Sequence, residues 1–357
     1  MRYSLFFLKF REYLQIILLW VIAVFFFALT AYSMAGYFYF RVHGVTLLDF
    51  LRLQLFGVLF IGFFIGTILF LLQEFVYPYL FRSYGILFTA VLRSLLFFIT
   101  CFVGLFIVIQ LNNTNFLINH NIFVLQIENL WIFCFMFYCL TVHVLITLFL
   151  VFRRRMGEKY FGSILTGHYL VPVVEYRIFM FLDMYSSTAA AEEAGHYTYS
   201  LLLQECFSDL SDLLPKYNAE VYQYVGDEAV LTWKISQGFD RAKCIAIYED
   251  FCTKIDNKKG FYQCKYGIVP KFKASVNEGL VTVAEVGRIK TEIAYHGIVL
   301  STAARVRDLC SSFNTDFLIT SSFYEQLPVK SMKNFKIADT IFLRGKKKAV
   351  TIFMRAD

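Results

Sequence analysis

Two aspartates occupy positions from which carboxylates often reach a shared metal ion. Asp183 follows the apolar run Tyr-Arg-Ile-Phe-Met-Phe-Leu, and Asp227 lies in a Gly-Asp-Glu segment between two further apolar runs. Paired aspartate oxygens are hard ligands of the kind that Mg²⁺ and Mn²⁺ prefer, with substrate phosphates completing the coordination. Aspartates are also common at strand ends and in turns, so the pair alone leaves an ordinary structural role open.

The elements predicted around these aspartates would hold them at one end of a sheet. Residues 176–182 form an apolar run bounded by charges, which indicates a buried strand. The Gly-Asp-Glu segment between two apolar runs is typical of a hairpin with a tight turn. The predicted strands cover residues 176–182, 219–225, 229–234 and 272–276, and the predicted helices cover residues 189–214 and 240–255. We expect neighbouring central strands to bring Asp183 and Asp227 together.

The first part of the chain is too apolar for a soluble domain. Hydrophobic residues make up 58% of the 357 residues and charged residues only 17%, and the long apolar runs precede residue 153. A transmembrane helix requires roughly 20 consecutive apolar residues. Four segments approach this length and predict an α-helical membrane bundle of about four spans: residues 17–40, 55–72, 86–109 and 130–152. Gly62 and Gly66 form a GxxxG pattern that permits close helix packing, either between subunits or within one.

Lysine and arginine predict the orientation of this bundle. Arg2, Lys9 and Arg11 precede the first span, the run Arg153–Arg155 follows the fourth, and residues 112–129 contain neither type. Cationic residues are retained on the cytoplasmic side of a membrane. We therefore expect a multi-pass protein of the inner or plasma membrane, with both termini and the soluble half in the cytoplasm.

The remaining composition excludes other classes of function. The net charge of +7 does not come from one basic, aromatic-interleaved stripe, so nucleic-acid binding is not predicted. The eight cysteines show no paired Cys-x-x-Cys or ligand-like spacing with histidine, which argues against a zinc site and a disulfide framework. The predicted organisation is a transmembrane domain at residues 1–152, a cytosolic connector at residues 153–175 and a soluble domain at residues 176–357.

Four successive blocks of the soluble half resemble class III adenylate and guanylate cyclase domains. They are FMFLDMYSST from Phe179, VYQYVGDEAVLTW from Val221, PKFKASVNEGLVTVAEVG from Pro270 and EIAYHGIVLSTAARV from Glu292. They look most similar to bacterial members with a multi-span membrane anchor. The resemblance implies an α+β domain with a mixed, mainly antiparallel sheet flanked by helices. It also implies an adenylate cyclase that converts ATP to 3′,5′-cyclic AMP and pyrophosphate in intracellular signalling.

The resemblance also implies roles for individual residues. Asp183 and Asp227 match the two metal-binding aspartates, which implies two Mg²⁺ or Mn²⁺ ions per active site. Arg305 matches the arginine that stabilises the transition state, and Lys346 stands where the family often has a lysine on the triphosphate. The family forms each pocket from two domains, so a homodimer is implied. The phosphate-cradling segment of the family falls on Met184, Tyr185, Ser186 and Ser187.

Four positions depart from the family pattern. Gln223 stands where adenylate cyclases usually have an adenine-contacting lysine, and Ala294 stands at its companion position on the base. Ile298 follows the glycine before the catalytic helix, and Ser301 replaces the catalytic asparagine. Glutamine donates and accepts hydrogen bonds with either purine, so ATP and GTP both stay open as substrates. Two interpretations remain: an active cyclase with low or regulated turnover, and a cyclase-fold signalling module without activity.

Overall fold

The computed structural model describes most of the chain. The described residues are 2–31, 59, 62–72, 88, 91–99, 122–156, 162–163, 166–342 and 349–356. They form two compact units, and the main division falls between Gly162 and Ser163. This division lies inside the predicted connector, while the predicted domain boundaries themselves stay predictions.

The first unit is helical. It contains α1 (Arg2–Ala31) and α2 (Ile122–Met156). Within the described ranges, two stretches are long and apolar enough to cross a membrane, Phe10–Phe27 and Cys134–Arg153, and Gly62–Leu71 is a shorter apolar helix. The predicted bundle of about four spans is therefore not confirmed. The predicted second span is described as that shorter helix, and most of the predicted third span lies outside the described residues.

Gly62 and Gly66 mark a close approach between helix backbones within the chain. A Cβ atom on Gly62 would lie 2.7 Å from Val21 Cα, and one on Gly66 would lie 2.9 Å from Ile17 Cα. Both distances are too short for any residue with a side chain unless the backbones move apart. Of the two interpretations of this glycine pair, the structure supports packing within one subunit, against α1.

The second unit is built on a mixed, mainly antiparallel sheet. In the described part of the chain the sheet has eight strands in the order β2-β3-β1-β4-β6-β8-β7, with β5 paired to β4. The pair β4–β6 is parallel and the other pairs are antiparallel. This confirms the predicted α+β class. The strands are β1 (Val173–Met184), β2 (Glu220–Val225), β3 (Glu228–Lys234), β4 (Phe272–Val286), β5 (Glu292–His296), β6 (Phe317–Thr320), β7 (Phe335–Ile341) and β8 (Val350–Arg355).

Helices flank this sheet. They are α3 (Ser187–Ala194), α4 (His196–Ser211), α5 (Leu214–Tyr217), α6 (Ala242–Asn257), α7 (Lys259–Tyr266), α8 (Ile298–Asp308), α9 (Ser321–Tyr324) and α10 (Val329–Met332). The helical stretch predicted over residues 189–214 is confirmed as two helices, α3 and α4, because the helix is interrupted at Gly195. This glycine has φ +76°, which lies in the left-handed region that glycine adopts without a steric penalty.

The two faces of β1 have different surroundings. Ile178 and Leu182 lie in the main hydrophobic core together with residues of α4 and α6. Because successive side chains of a strand point to opposite faces, Asp183 lies on the other face. Helix α8 packs on that second face, where the Ser275 hydroxyl of β4 donates a 2.6 Å hydrogen bond to the Ala303 carbonyl. The second face therefore carries both Asp183 and the helix that contains the predicted catalytic arginine.

Candidate active site

Asp183 and Asp227 meet at the end of strands β1 and β3. The two strands pair in antiparallel fashion, with Asp183 directly opposite Glu228. Asp227 is the residue before β3, in a turn whose Gly226 has φ +62°, a conformation that favours glycine. The Asp227 carboxylate lies near enough to Asp183 to help raise the pKa of the Asp183 carboxyl. The structure thus brings the two predicted residues together, and their role as metal ligands stays a prediction.

The acidic residues at this sheet end are crowded and half-buried. Burial raises the pKa of the Asp183 carboxyl, the Arg307 guanidinium opposes this shift, and the Asp227 carboxylate adds to it. Burial likewise raises the pKa of Glu228, against the attraction of Arg307. Carboxylates whose pKa values are raised by burial and by each other gain most from a cation placed between them.

This set of oxygen donors fits a divalent cation. Crowded carboxylate oxygens are hard ligands that suit Mg²⁺ or Mn²⁺. Among the described residues, no group of three or more His, Cys, Asp or Glu side chains is arranged to hold a metal ion. The protein would therefore supply the two aspartates, and water and substrate phosphates would supply the remaining ligands, which is common for Mg²⁺.

Two cations that sequence analysis missed contact the acidic residues. Arg307 Nη1 lies 3.0 Å from Asp183 Oδ2 and 2.5 Å from Glu228 Oε2. Lys273 Nζ lies 3.5 Å from Asp183 Oδ2. Residues two positions apart on a helix differ by about 200° in direction. Arg305 is exposed and Arg307 is half-buried, and this difference in direction is the sequence signal that Arg307 faces the sheet when Arg305 faces outward.

The segment after β1 offers fewer donors to a phosphate than predicted. The Met184 side chain is buried in the main core. The Tyr185 N–H donates to the Lys271 carbonyl at 2.8 Å, so this backbone donor already has a partner, while the predicted phosphate contact of the segment stays a prediction. Ser186 has φ +52°, and Ser187 is the first residue of α3. The first N–H groups of a helix have no partners inside it, so those of α3 are the donors that remain.

Helix α8 presents Ser301 and Arg305 on one exposed face. Both side chains are exposed, and a separation of four residues places them one above the other. The opposite face is fixed to the sheet, since Asn277 Nδ2 donates to the Val299 carbonyl at 2.9 Å. The Ser301 hydroxyl donates to the Ile298 carbonyl of its own helix at 3.2 Å. Ser301 therefore already has a local partner, whereas the family pattern has an asparagine at this position.

Arg305 does not meet the aspartates within one subunit. In the ranges that the structure describes, no ion pair joins Arg305 to Asp183 or Asp227, whereas Arg307 of the same helix contacts Asp183 directly. Within one subunit the predicted arginine is therefore not paired with the predicted metal ligands. The homodimer that would combine them stays a prediction.

The two predicted purine-contact positions, Gln223 and Ala294, lie on strands β2 and β5, and the residues next to them are in contact. Gln223 is exposed on β2, just after a bulge, and Ala294 is half-buried on β5. The adjacent rings of Tyr222 and Tyr295 meet with centroids 4.8 Å apart. Ile298, a further departure from the family pattern, is exposed at the start of α8. Lys346 lies outside the described residues.

A buried ion network connects the same two strands. Arg177 Nε donates to Glu175 Oε2 at 2.7 Å, and its Nη1 donates to Glu220 Oε2 of β2 at 3.2 Å. The Arg177 guanidinium also lies 4.8 Å from the ring centroid of Tyr295 in β5. Lys234 adds a 2.5 Å contact to Glu175. Arg177 therefore links β1, β2 and β5 on the face that carries the candidate site.

Comparison with known proteins adds a sequence relative and structures of similar fold. No protein-family model matches the chain. Over 175 residues the chain is 34% identical to adenylate cyclase 2 of Rhizobium meliloti. The aligned segment covers 49% of this chain and 48% of that protein. The chain thus spans about half the length of the curated relative that it matches.

The structure is similar to that of a bacterial light-regulated adenylyl cyclase, with a TM-score of 0.52, 15% identity, and coverage of 67% of this chain and 66% of the other. It also matches the adenylyl cyclase CyaB from P. aeruginosa, with a TM-score of 0.47, 18% identity, and coverage of 53% of this chain and 97% of the other. The sequence relative and the first of these structures confirm the resemblance to class III cyclases and the fold.

Proposed function

We propose that this chain is a membrane-anchored adenylate cyclase that converts ATP to 3′,5′-cyclic AMP and pyrophosphate. The observation that supports this most strongly is the placement of Asp183 and Asp227 side by side at one end of the sheet of a cyclase fold. The name of the 34% identical relative, adenylate cyclase 2, supports ATP as the substrate. The two apolar helices support attachment to a lipid bilayer.

Asp183 and Asp227 would hold two divalent ions, Mg²⁺ or Mn²⁺. When bound, such ions supply Lewis-acid activation of the ribose 3′-hydroxyl and neutralise charge on the triphosphate. In the reaction a bond forms between the 3′-oxygen and the α-phosphorus. The bond from the α-phosphorus to the pyrophosphate oxygen breaks, and the hydroxyl proton passes to solvent. The role of the two carboxylates is to fix the triphosphate so that the 3′-oxygen and the leaving oxygen lie in line.

Arg305 would come from the second subunit of a homodimer. Its guanidinium is exposed on α8 and has the planar donor geometry that matches phosphoryl oxygens. Each of two sites would combine the aspartates of one subunit with Arg305 of the other, and a monomer would be inactive. Gln223 and Ala294 would contact the base, and the first N–H groups of α3 together with Lys346 would contact the triphosphate.

A cyclase-fold module with little or no activity is the second candidate. Two observations favour it: the Ser301 hydroxyl is hydrogen-bonded within its own helix, and the Ala294 side chain has no polar group that could hydrogen-bond to a base. Loss of one oriented contact to a transition state typically lowers the rate about 10²–10³-fold. Both aspartates and Arg305 are nevertheless retained, so we propose low turnover rather than none.

The test is cyclic nucleotide formation by the full chain in lipid nanodiscs. The protein is incubated with Mn²⁺ and either ATP or GTP, and the products are identified by mass spectrometry. We expect cyclic AMP from the wild type and a loss of at least about a hundredfold in Asp227→Asn. Asp339→Asn is the matched control, because Asp339 is exposed on β7 outside the site. Dimeric wild type that forms no product supports the inactive module, and faster turnover of GTP makes the protein a guanylate cyclase.

A further inference from the structure

Arg307 is firmly held at the candidate active site. Its guanidinium contacts Asp183 at 3.0 Å, Glu228 at 2.5 Å and Asp308 at 2.8 Å. Its side chain is only 16% exposed. Ion pairs shielded from water in this way are stronger and less sensitive to salt than exposed ones. Arg307 therefore places a fixed positive charge beside the predicted metal ligands of its own subunit.

Two basic side chains already offset half of the acidic charge of the site. The carboxylates of Asp183, Asp227, Glu228 and Asp308 bring four negative charges, and Arg307 and Lys273 offset two of them through the contacts described above. A free divalent ion that approaches the aspartates meets the repulsion of both basic side chains. A divalent ion already bound to a nucleoside triphosphate brings negative phosphate oxygens with it, which offset that repulsion.

We propose that Arg307 is a positioning residue that acts as a built-in counter-cation, so that the site binds a metal–nucleotide complex in preference to the free metal ion. This inference rests on the proposed function, because it takes Asp183 and Asp227 as the metal ligands. It assigns different tasks to two arginines of α8. Arg305 faces outward, for a second subunit, and Arg307 holds the carboxylates of its own.

Glu228 is part of the same arrangement. Because Arg307 Nη1 lies between Asp183 and Glu228, the two carboxylates share one guanidinium. Removing the charge of Arg307 leaves both without their strongest partner and should strengthen metal binding. Removing the charge of Glu228 leaves Arg307 paired with Asp183 without competition from Glu228, and this should weaken metal binding. The two changes therefore have opposite expected signs at one site.

The test measures the affinity of the full chain in nanodiscs for free Mn²⁺ in the absence of nucleotide. Electron paramagnetic resonance detects the bound and free ion. One unit charge about 6 Å from a divalent ion changes its affinity about tenfold even at the dielectric constant of water. We expect Arg307→Gln to bind Mn²⁺ about tenfold more tightly than the wild type, and Glu228→Gln about tenfold more weakly. Arg307→Lys keeps the charge and should stay within about threefold of the wild type. Arg355→Gln, which removes an arginine paired with Glu249 outside the site, should leave the affinity unchanged.

A second arm adds a non-hydrolysable ATP analogue. The analogue should increase Mn²⁺ affinity more in the wild type than in Arg307→Gln. In the wild type Arg307 offsets carboxylate charge, and the triphosphate supplies negative charge in its place. Equal Mn²⁺ affinity of the wild type, Arg307→Gln and Glu228→Gln overturns the inference and leaves the proposed function standing. If Arg307→Gln does not fold, unchanged or tighter binding by Glu228→Gln overturns the inference. Absence of Mn²⁺ binding above that of an Asp183→Asn/Asp227→Asn variant, with and without the analogue, overturns the metal site and with it both proposals.

Discussion

Replacing Arg177 by methionine should destabilise the second unit far more than the same replacement at Arg355. Both arginines pair with a glutamate at nearly the same distance, 2.7 Å for Arg177 with Glu175 and 2.8 Å for Arg355 with Glu249. They differ in burial. The side chains are 4% and 3% exposed in the first pair and 39% and 52% exposed in the second. Both guanidinium groups also lie over aromatic rings, that of Arg177 over Tyr295 and that of Arg355 over Tyr248 and Phe317, so burial is the main difference between them.

Burial sets the expected magnitudes. Removing one partner of a buried pair leaves an uncompensated charge and costs about 3–5 kcal/mol. Arg177 also contacts Glu220 and the Tyr295 ring, which places the expected cost at the upper end of this range. Lys234 still contacts Glu175 and reduces the penalty. We expect a loss of about 3–4 kcal/mol in the free energy of unfolding for Arg177→Met, and of about 0–1 kcal/mol for Arg355→Met.

The assay is hydrogen–deuterium exchange of the full chain at increasing urea concentrations. Peptides from β1 and β3 report the free energy of opening of the central sheet, and peptides from α1 serve as an internal reference. Arg177→Met should lower protection of β1 and β3 together. If Arg177→Met and Arg355→Met cost the same, the argument that burial determines the value of the Arg177 network is refuted.

Three further predictions concern acid stability, thiol reactivity and base selection. Burial alone would raise the pKa of Glu175, but hydrogen bonds from Lys234 and Arg177 lower it below its ordinary value of 4.5. Its stabilising effect is therefore complete above that value and is lost as the pH falls through the lowered pKa. The difference in unfolding free energy between wild type and Glu175→Gln should shrink below about pH 4.5, and a constant difference would contradict this. Burial raises the pKa of Cys206 and Cys310 to about 12, so iodoacetamide should modify exposed Cys264 in the native protein and spare these two, as mass spectrometry would show. Gln223→Glu should shift the kcat/KM ratio towards GTP by about tenfold, because a carboxylate accepts two hydrogen bonds from guanine; an unchanged ratio would place Gln223 away from the base.

The central contact of the candidate site could be predicted because it depends on local patterns. Asp183 follows an apolar run, and Asp227 lies in a Gly-Asp turn between two others. One pairing of neighbouring strands, β1 with β3, is then enough to bring them together. The resemblance to cyclases added the order of the blocks, and the mixed sheet agrees with it.

Arg307 could not be predicted in the same way. Its contact with Asp183 depends on how α8 docks on the second face of the sheet, through Ser275 and Asn277 of β4. Helix periodicity indicates only that Arg307 faces away from Arg305, and no local pattern identifies Asp183 as its partner. The break within the helical stretch predicted over residues 189–214 was missed for a related reason. Its apolar spacing continues across Gly195, and only the backbone conformation of that glycine shows the break.

The most direct test of the proposed shared site is complementation between two inactive variants. Asp183→Asn lacks a metal ligand, and Arg305→Gln lacks the arginine that we assign to the opposite subunit. Co-expressed and purified together, half of the dimers should be mixed, each with one intact site of two, so cyclic AMP formation should recover to about a quarter of the wild-type rate. Each variant alone should be inactive. Mixed dimers that form but produce no cyclic AMP, with an active wild type beside them, would contradict a site shared between subunits.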